Sequence, residues 1–152
     1  MAKKRGKSGT SKMNVEKAIT ADYVPNEKEP FMCDRQKEYF RIKLEEGKAS
    51  ILDQSRDTVA MMQEDTTNIP DLADRASAET DRALELRTRD RQRKLISKID
   101  AALRRIEEDT YGYCEVTGDP IALKRLDARP IATLSLEAQE MHERREKVHR
   151  DA

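Results

Sequence analysis

Two opposite concentrations of charge are the features of this chain best suited to do chemistry. Asp71 and Asp74 lie just past Pro70, in a segment, 63–85, that holds seven acids against two arginines. Residues 87–105 then hold eight basic residues against two acids, and the spacing of Arg87, Arg91 and Lys94 puts these three on one face of a helix. Carboxylates gathered at a turn can act on a divalent cation or on a mobile basic loop. Two acids at a helix start also serve as ordinary caps, and residue type alone leaves both roles open. The 152 residues carry thirty cations and thirty anions, so a net charge of zero hides this segregation. A solvated helix mixes its signs more evenly. Sequence-specific DNA binding fits poorly, because phosphates would repel the acidic segment.

Positioning these groups falls to two long helices. Pro70 is the sole proline between Pro30 and Pro120, and Gly47 the sole glycine between Gly9 and Gly112. Without the residues that interrupt helices, two rods of roughly 33 residues and about 50 Å each are permitted. Joined by a short acidic tip at 68–76, they are expected to pack antiparallel as a coiled-coil hairpin over 31–110. The first rod starts near Asp34 and carries Phe40, Leu44, Ile51, Leu52, Val59 and Met62 at spacings of 3, 4 and 7. The second, from about Ala73 to Glu108, shows a stripe of Leu95, Ile99, Ala102 and Ile106, with Ile96 and Leu103 beside it. Towards the tip this seam thins to Ala76, Ala83 and Leu84.

The rest of the chain is shorter-ranged. Residues 1–30 read as a disordered tail, basic over 1–18, where six cations face one Glu; such tails touch nucleic acid without specificity. Turn signals at Gly112 and at Gly118-Asp119-Pro120 open a small globular base over 111–134. Tyr111, Tyr113, Ile121, Leu123, Leu126, Ile131, Leu134 and Leu136 are its expected packing residues. Ser135 is placed to cap a final helix over 135–152. The predicted fold class is therefore mainly α: an antiparallel coiled-coil hairpin, a small globular base and a C-terminal helix. Cys33 and Cys114, with no signal peptide and no apolar run of membrane-spanning length, suggest a reducing cytoplasm without disulfides. An intramolecular coiled coil also removes the main reason to dimerise, so a monomer is expected.

Five segments together resemble the DksA/TraR family of bacterial transcription regulators. They are Asp71-Leu-Ala-Asp74-Arg75-Ala76, Glu85-Leu-Arg87-Thr-Arg89-Asp90-Arg91, Arg93-Lys94-Leu95-Ile96, Tyr111-Gly112-Tyr113-Cys114 and Lys124-Arg125-Leu126-Asp127-Ala128-Arg129-Pro130. The resemblance spans roughly residues 31–150. It implies a protein that is not an enzyme, binds RNA polymerase directly, enters the secondary channel with its coiled coil, and works with the alarmone ppGpp in the stringent response. It further implies that Asp71, Asp74 and Ala76 form the tip near the polymerase catalytic centre, and that Arg91 is a polymerase-contacting stem residue, so that Arg87 and Lys94 on the same face are expected to join it in the stem contact. Leu95, Lys98 and Arg129 would line the ppGpp site.

The chain departs from the family pattern at two places. The family takes zinc from two CxxC pairs, but the corresponding positions here are Cys114, Thr117, Ser135 and Ala138. A structural zinc site needs four closed ligands, normally Cys or His, and Thr, Ser and Ala do not serve. No metal is therefore expected, and Cys114 reads as an inert packing thiol. The second departure is Gln139, at a position where zinc-bearing members place a lysine in the ppGpp site, which implies weaker attraction for phosphates. Two other functional classes stay in play. One is a transcript-cleavage cofactor holding Mg²⁺ at the tip, and the other a structural coiled-coil adaptor indifferent to its tip acids.

Overall fold

The structure is a computed structural model that describes Ile19 and residues 22–64 and 72–151. Among these residues there are four helices: α1 (Asp34–Glu64), α2 (Leu72–Glu107), α3 (Leu123–Ala128) and α4 (Leu136–Asp151). Among the described residues the only β pairing is an isolated antiparallel bridge between Tyr113 and Pro120. The mainly α fold, with two long helices and a C-terminal one, is as expected. Gly47 is tolerated inside α1 because a single glycine costs a helix of 31 residues only about 1 kcal/mol. Helix α2 ends at Glu107, and two residues on Asp109, with a φ of 58°, turns the chain into the left-handed region. The Thr110 and Tyr111 amides then fold back onto the Arg105 carbonyl, at 2.9 and 3.2 Å.

The chain forms two compact units, residues 44–101 and the remainder. The second unit has the apolar core. Phe40, Tyr111, Ile121 and Leu126 are its large fully buried side chains, joined by Tyr23, Met32, Ala102, Ile106, Cys114, Leu123, Ala132 and Ala138. The Phe40 and Tyr111 rings meet at a tilt of 47° with centroids 5.6 Å apart. Of the expected packing residues, Tyr113 and Leu136 are exposed, while Ile131 and Leu134 are half-buried. Tyr113 instead meets Phe31 edge to face at 5.4 Å.

Residues 22–30 correct the expectation of a disordered tail over 1–30; residues 1–18, 20 and 21 lie outside the described ones. Tyr23 is buried, bonds Glu29 through its hydroxyl, packs edge-on against Tyr39 at 5.8 Å and carries the Arg35 guanidinium 4.1 Å over its ring. Gln36, a fully buried polar residue, accepts the Met32 amide at 2.9 Å and donates to the Asn26 carbonyl at 3.1 Å. Proline and polar composition favour an extended backbone here, and these contacts give that backbone a fixed course. Met32 rests on Gly112, where an added Cβ would come within 3.1 Å of its side chain.

In the unit 44–101 the two long helices pair antiparallel, and Lys48 meets Asp100 at 2.6 Å across the pair. Leu44 and Ile99 are buried at one end. Along α2 the inward positions are Glu85, Arg89, Gln92, Ile96 and Ile99, following one another at steps of four and three. This corrects the tip-ward part of the expected seam. Leu95 is 36% exposed and Leu84 53% exposed, and Ala76 and Ala83 are exposed too. Ile99, Ala102 and Ile106 are buried as expected, with Ile96 and Leu103 half-buried, but towards the tip the inward track turns polar beyond Ile96 and leaves Leu95, Leu84, Ala83 and Ala76 outside it.

Candidate functional site

Ala76, Thr80, Ala83, Arg87, Arg91, Lys94 and Lys98 also succeed one another along α2 at steps of four and three, and all are exposed. This track is offset by two residues from the inward one, about 200° around the helix, and so lies on the opposite side. Leu84 and Leu95 adjoin it. A shallow groove runs along its first part, lined by Ala76, Glu79, Thr80, Ala83, Leu84 and Arg87. The expected stem residues Arg87, Arg91 and Lys94 therefore share one outward face with Leu95 and Lys98. Lys94 makes an exposed pair with Asp90 at 3.1 Å, a contact weak enough to exchange for a partner's. Arg89, by contrast, is half-buried on the inward side.

At the tip, Asp74 is exposed in the first turn of α2, where a carboxylate complements the positive helix end. Ala76 follows on the outward track. Asp71 and the rest of 68–71 lie outside the described residues. Arg129 belongs to the other unit, where it is exposed just past the end of α3. Gln139 donates from its amide to the Glu143 carboxylate at 2.9 Å, which holds an acid beside it.

The four positions that the resemblance assigns to zinc ligands are brought together without forming a metal site. Cys114 is buried, and the polar groups that act on its sulfur are the Thr117 side chain and the backbone of Ser135, Thr117 and Val116. Burial pushes the thiol up, but these groups outweigh it and lower the pKa to about 6. The surrounding turn closes through Cys114 N–H to the Asp119 carbonyl at 2.8 Å and Gly118 N–H to the Cys114 carbonyl at 2.9 Å. Gly118 takes a φ of 73° to make it. Ser135 Oγ accepts the Ala138 amide at 3.3 Å, and Ala138 fills its position as a buried methyl. One thiol, two hydroxyls and a methyl do not fit zinc. Among the described residues no group of three or more His, Cys, Asp or Glu could hold a metal ion. Cys114 is thus buried as expected, in a polar backbone setting that residue spacing did not foretell.

A polar cluster in the unit with the apolar core was also missed. Tyr39 and Lys43, one turn apart on α1, both reach Asp127 in α3. Hydrogen bonds from Lys43 and Tyr39 hold the Asp127 carboxyl below the usual carboxylate range. Burial alone would lower the Lys43 pKa, but its bond to Asp127 and the neighbouring charges raise it. Partners more than eighty residues apart leave no local signal.

Comparison with known proteins follows the same lines. Residues 36–106 match the family model described as the N-terminal domain of DnaK suppressor protein DksA, and residues 109–144 that of the prokaryotic dksA/traR C4-type zinc finger. The RNA polymerase-binding transcription factor DksA of Caulobacter vibrioides NA1000 is 67% identical over 142 residues, 93% of this chain and 98% of its own. Its Escherichia coli K12 counterpart is 43% identical over 119 residues, 78% of this chain and 79% of its own. The structure of transcription factor DksA2 from Pseudomonas aeruginosa superposes with a TM-score of 0.73 at 33% identity, covering 91% of this chain and 99% of that one.

Proposed function

Because the chain belongs to the DksA/TraR family, we propose that it binds RNA polymerase directly and regulates transcription without being an enzyme itself. The observation that carries this is the outward face of α2, where Arg87, Arg91, Lys94 and Lys98 stand exposed on one side, free of any role in holding the hairpin together. A cationic stripe beside exposed Leu84 and Leu95 suits a partner surface that is acidic with apolar patches. In this reading the hairpin enters the secondary channel, and the tip at Asp71, Asp74 and Ala76 biases the active-site elements and destabilises open complexes at sensitive promoters. The stem docks, and ppGpp binds at the junction with polymerase through Leu95, Lys98 and Arg129. With Gln139 engaged by Glu143, ppGpp binds more weakly than where a lysine completes the site. The protein acts as a cytoplasmic monomer, with its base folded without zinc.

Run-off transcription from a stable-RNA promoter, with purified polymerase and with or without ppGpp, tests this reading. Inhibition that ppGpp deepens is expected, as is its loss in Asp74→Asn while binding to polymerase persists. Indifference of transcription to the folded protein would leave the adaptor role in its place, and cleavage of backtracked RNA would favour the cofactor role. Stoichiometric zinc in the purified protein would overturn the metal-free base.

A further inference from the structure

Helix α3 has six residues, too few to persist without tertiary anchors. Its anchor on α1 is the cluster noted above. Lys43 Nζ donates to the Asp127 carboxylate at 2.6 Å and to the Asp127 main-chain carbonyl at 2.5 Å, while the Tyr39 hydroxyl donates to the same carboxylate at 2.7 Å. The ammonium also lies 5.7 Å from the centre of the Tyr39 ring, which favours a cation there. Two residues on comes Arg129, and its backbone is held on both sides. The Arg129 amide donates to the Arg125 carbonyl at 2.8 Å, its carbonyl accepts the Ala132 amide at 3.0 Å, and the Tyr111 hydroxyl donates to the Pro130 carbonyl at 2.6 Å. Pro130 further restricts Arg129 to the extended backbone it adopts, at φ −140° and ψ 86°. The main chain from 127 to 132 is thus fastened, and the exposed Arg129 side chain projects from a fixed base.

We infer that Tyr39, Lys43 and Asp127 are positioning residues that aim Arg129 at the phosphates of its ligand, an inference that rests on the alarmone reading above. Guanidinium recognises phosphate through paired, directional hydrogen bonds, so a misplaced backbone loses more than a misplaced point charge would. Lys43 and Asp127 are both more than a third exposed, a setting in which ion pairs add little to stability. Their double grip on the carbonyl and the carboxylate of one residue defines direction instead.

The experiment is a ppGpp titration of run-off transcription with full-length wild type, Lys43→Met, Lys43→Arg, Tyr39→Phe and Arg129→Ala, alongside each variant's thermal midpoint. Lys43→Met keeps the aliphatic stem and removes the ammonium. Its ppGpp concentration for half-maximal effect is expected to rise roughly five- to tenfold, the scale of one well-placed contact. Tyr39→Phe is expected to shift it in the same direction by less, and Lys43→Arg to restore it, with thermal midpoints close to wild type. An unshifted titration in Lys43→Met, beside a lost response in Arg129→Ala, overturns the positioning role and leaves the alarmone reading standing. A wild type indifferent to ppGpp overturns the alarmone reading and the inference together. Loss of ppGpp response that tracks a lowered thermal midpoint reduces the cluster to a structural one and overturns the inference.

Discussion

The unit built around Phe40 and Tyr111 and the unit of residues 44–101 use the same kinds of helix in opposite ways. In the first, aromatic rings, Ile121 and Leu126 are fully buried, and polar groups such as Gln36 and Asp127 have partners. In the second, among the described residues between 45 and 98, none is buried. Its inward track carries Glu85, Arg89 and Gln92 on α2, and the half-buried positions of α1 include Ser55 and Thr58. Gln92 Oε1 is out of contact with water and lacks a hydrogen-bond partner there. Apolar burial is the main source of folding free energy, so stability is concentrated in the first unit. The second leaves the outward face of α2 exposed. Regions that engage partners are commonly drawn from the less stable parts of a fold.

The largest effect expected from this contrast is in the core. Phe40→Ala should cost about 3–5 kcal/mol in chemical denaturation, because the ring is fully buried and leaves a cavity. Leu84→Ala, at an exposed position, should cost far less; comparable losses would erase the distinction between the units.

The next concerns Cys114 and pH. Its folded pKa lies near 6, below the ordinary 9.0, so its contribution is complete above pH 9 and declines as pH falls towards 6. Wild type should therefore lose stability over that window relative to Cys114→Ala, by up to about 1.4 kcal/mol per pH unit at the steepest. Parallel profiles for the two proteins would show that the thiol stays protonated.

A smaller gain is expected from Gln92→Leu, which removes the unpaired oxygen and adds apolar seam. Hydrogen exchange of amides in 85–96 should slow by an amount equivalent to about 1–2 kcal/mol. Unchanged or faster exchange would mean that the polar seam is already satisfied. The smallest is Gly47→Ala. Nothing lies within 4 Å of the added Cβ, so the helix should gain roughly 0.5–1 kcal/mol in thermal or denaturant midpoint.

Much of this molecule is legible from residue order. The sparse prolines and glycines dictate two long helices, and the helix starting at Leu72 and ending at Glu107 lies within a residue of its expected bounds. The outward spacing of Arg87, Arg91 and Lys94, and the misfit of Thr117, Ser135 and Ala138 to zinc, follow from residue type and number alone. The rotation of the hairpin seam does not. Leu84 and Leu95 look like core, but the partner helix faces Glu85, Arg89 and Gln92, and hydrophobic spacing cannot reveal a seam that is polar. The strap at Tyr23 and the convergence of Tyr39 and Lys43 on Asp127 were equally hidden. Local sequence determines which backbone conformations are cheap, and so where helices begin and end. Which side chains then meet depends on closing long loops against entropy, a balance decided by contacts across the whole fold.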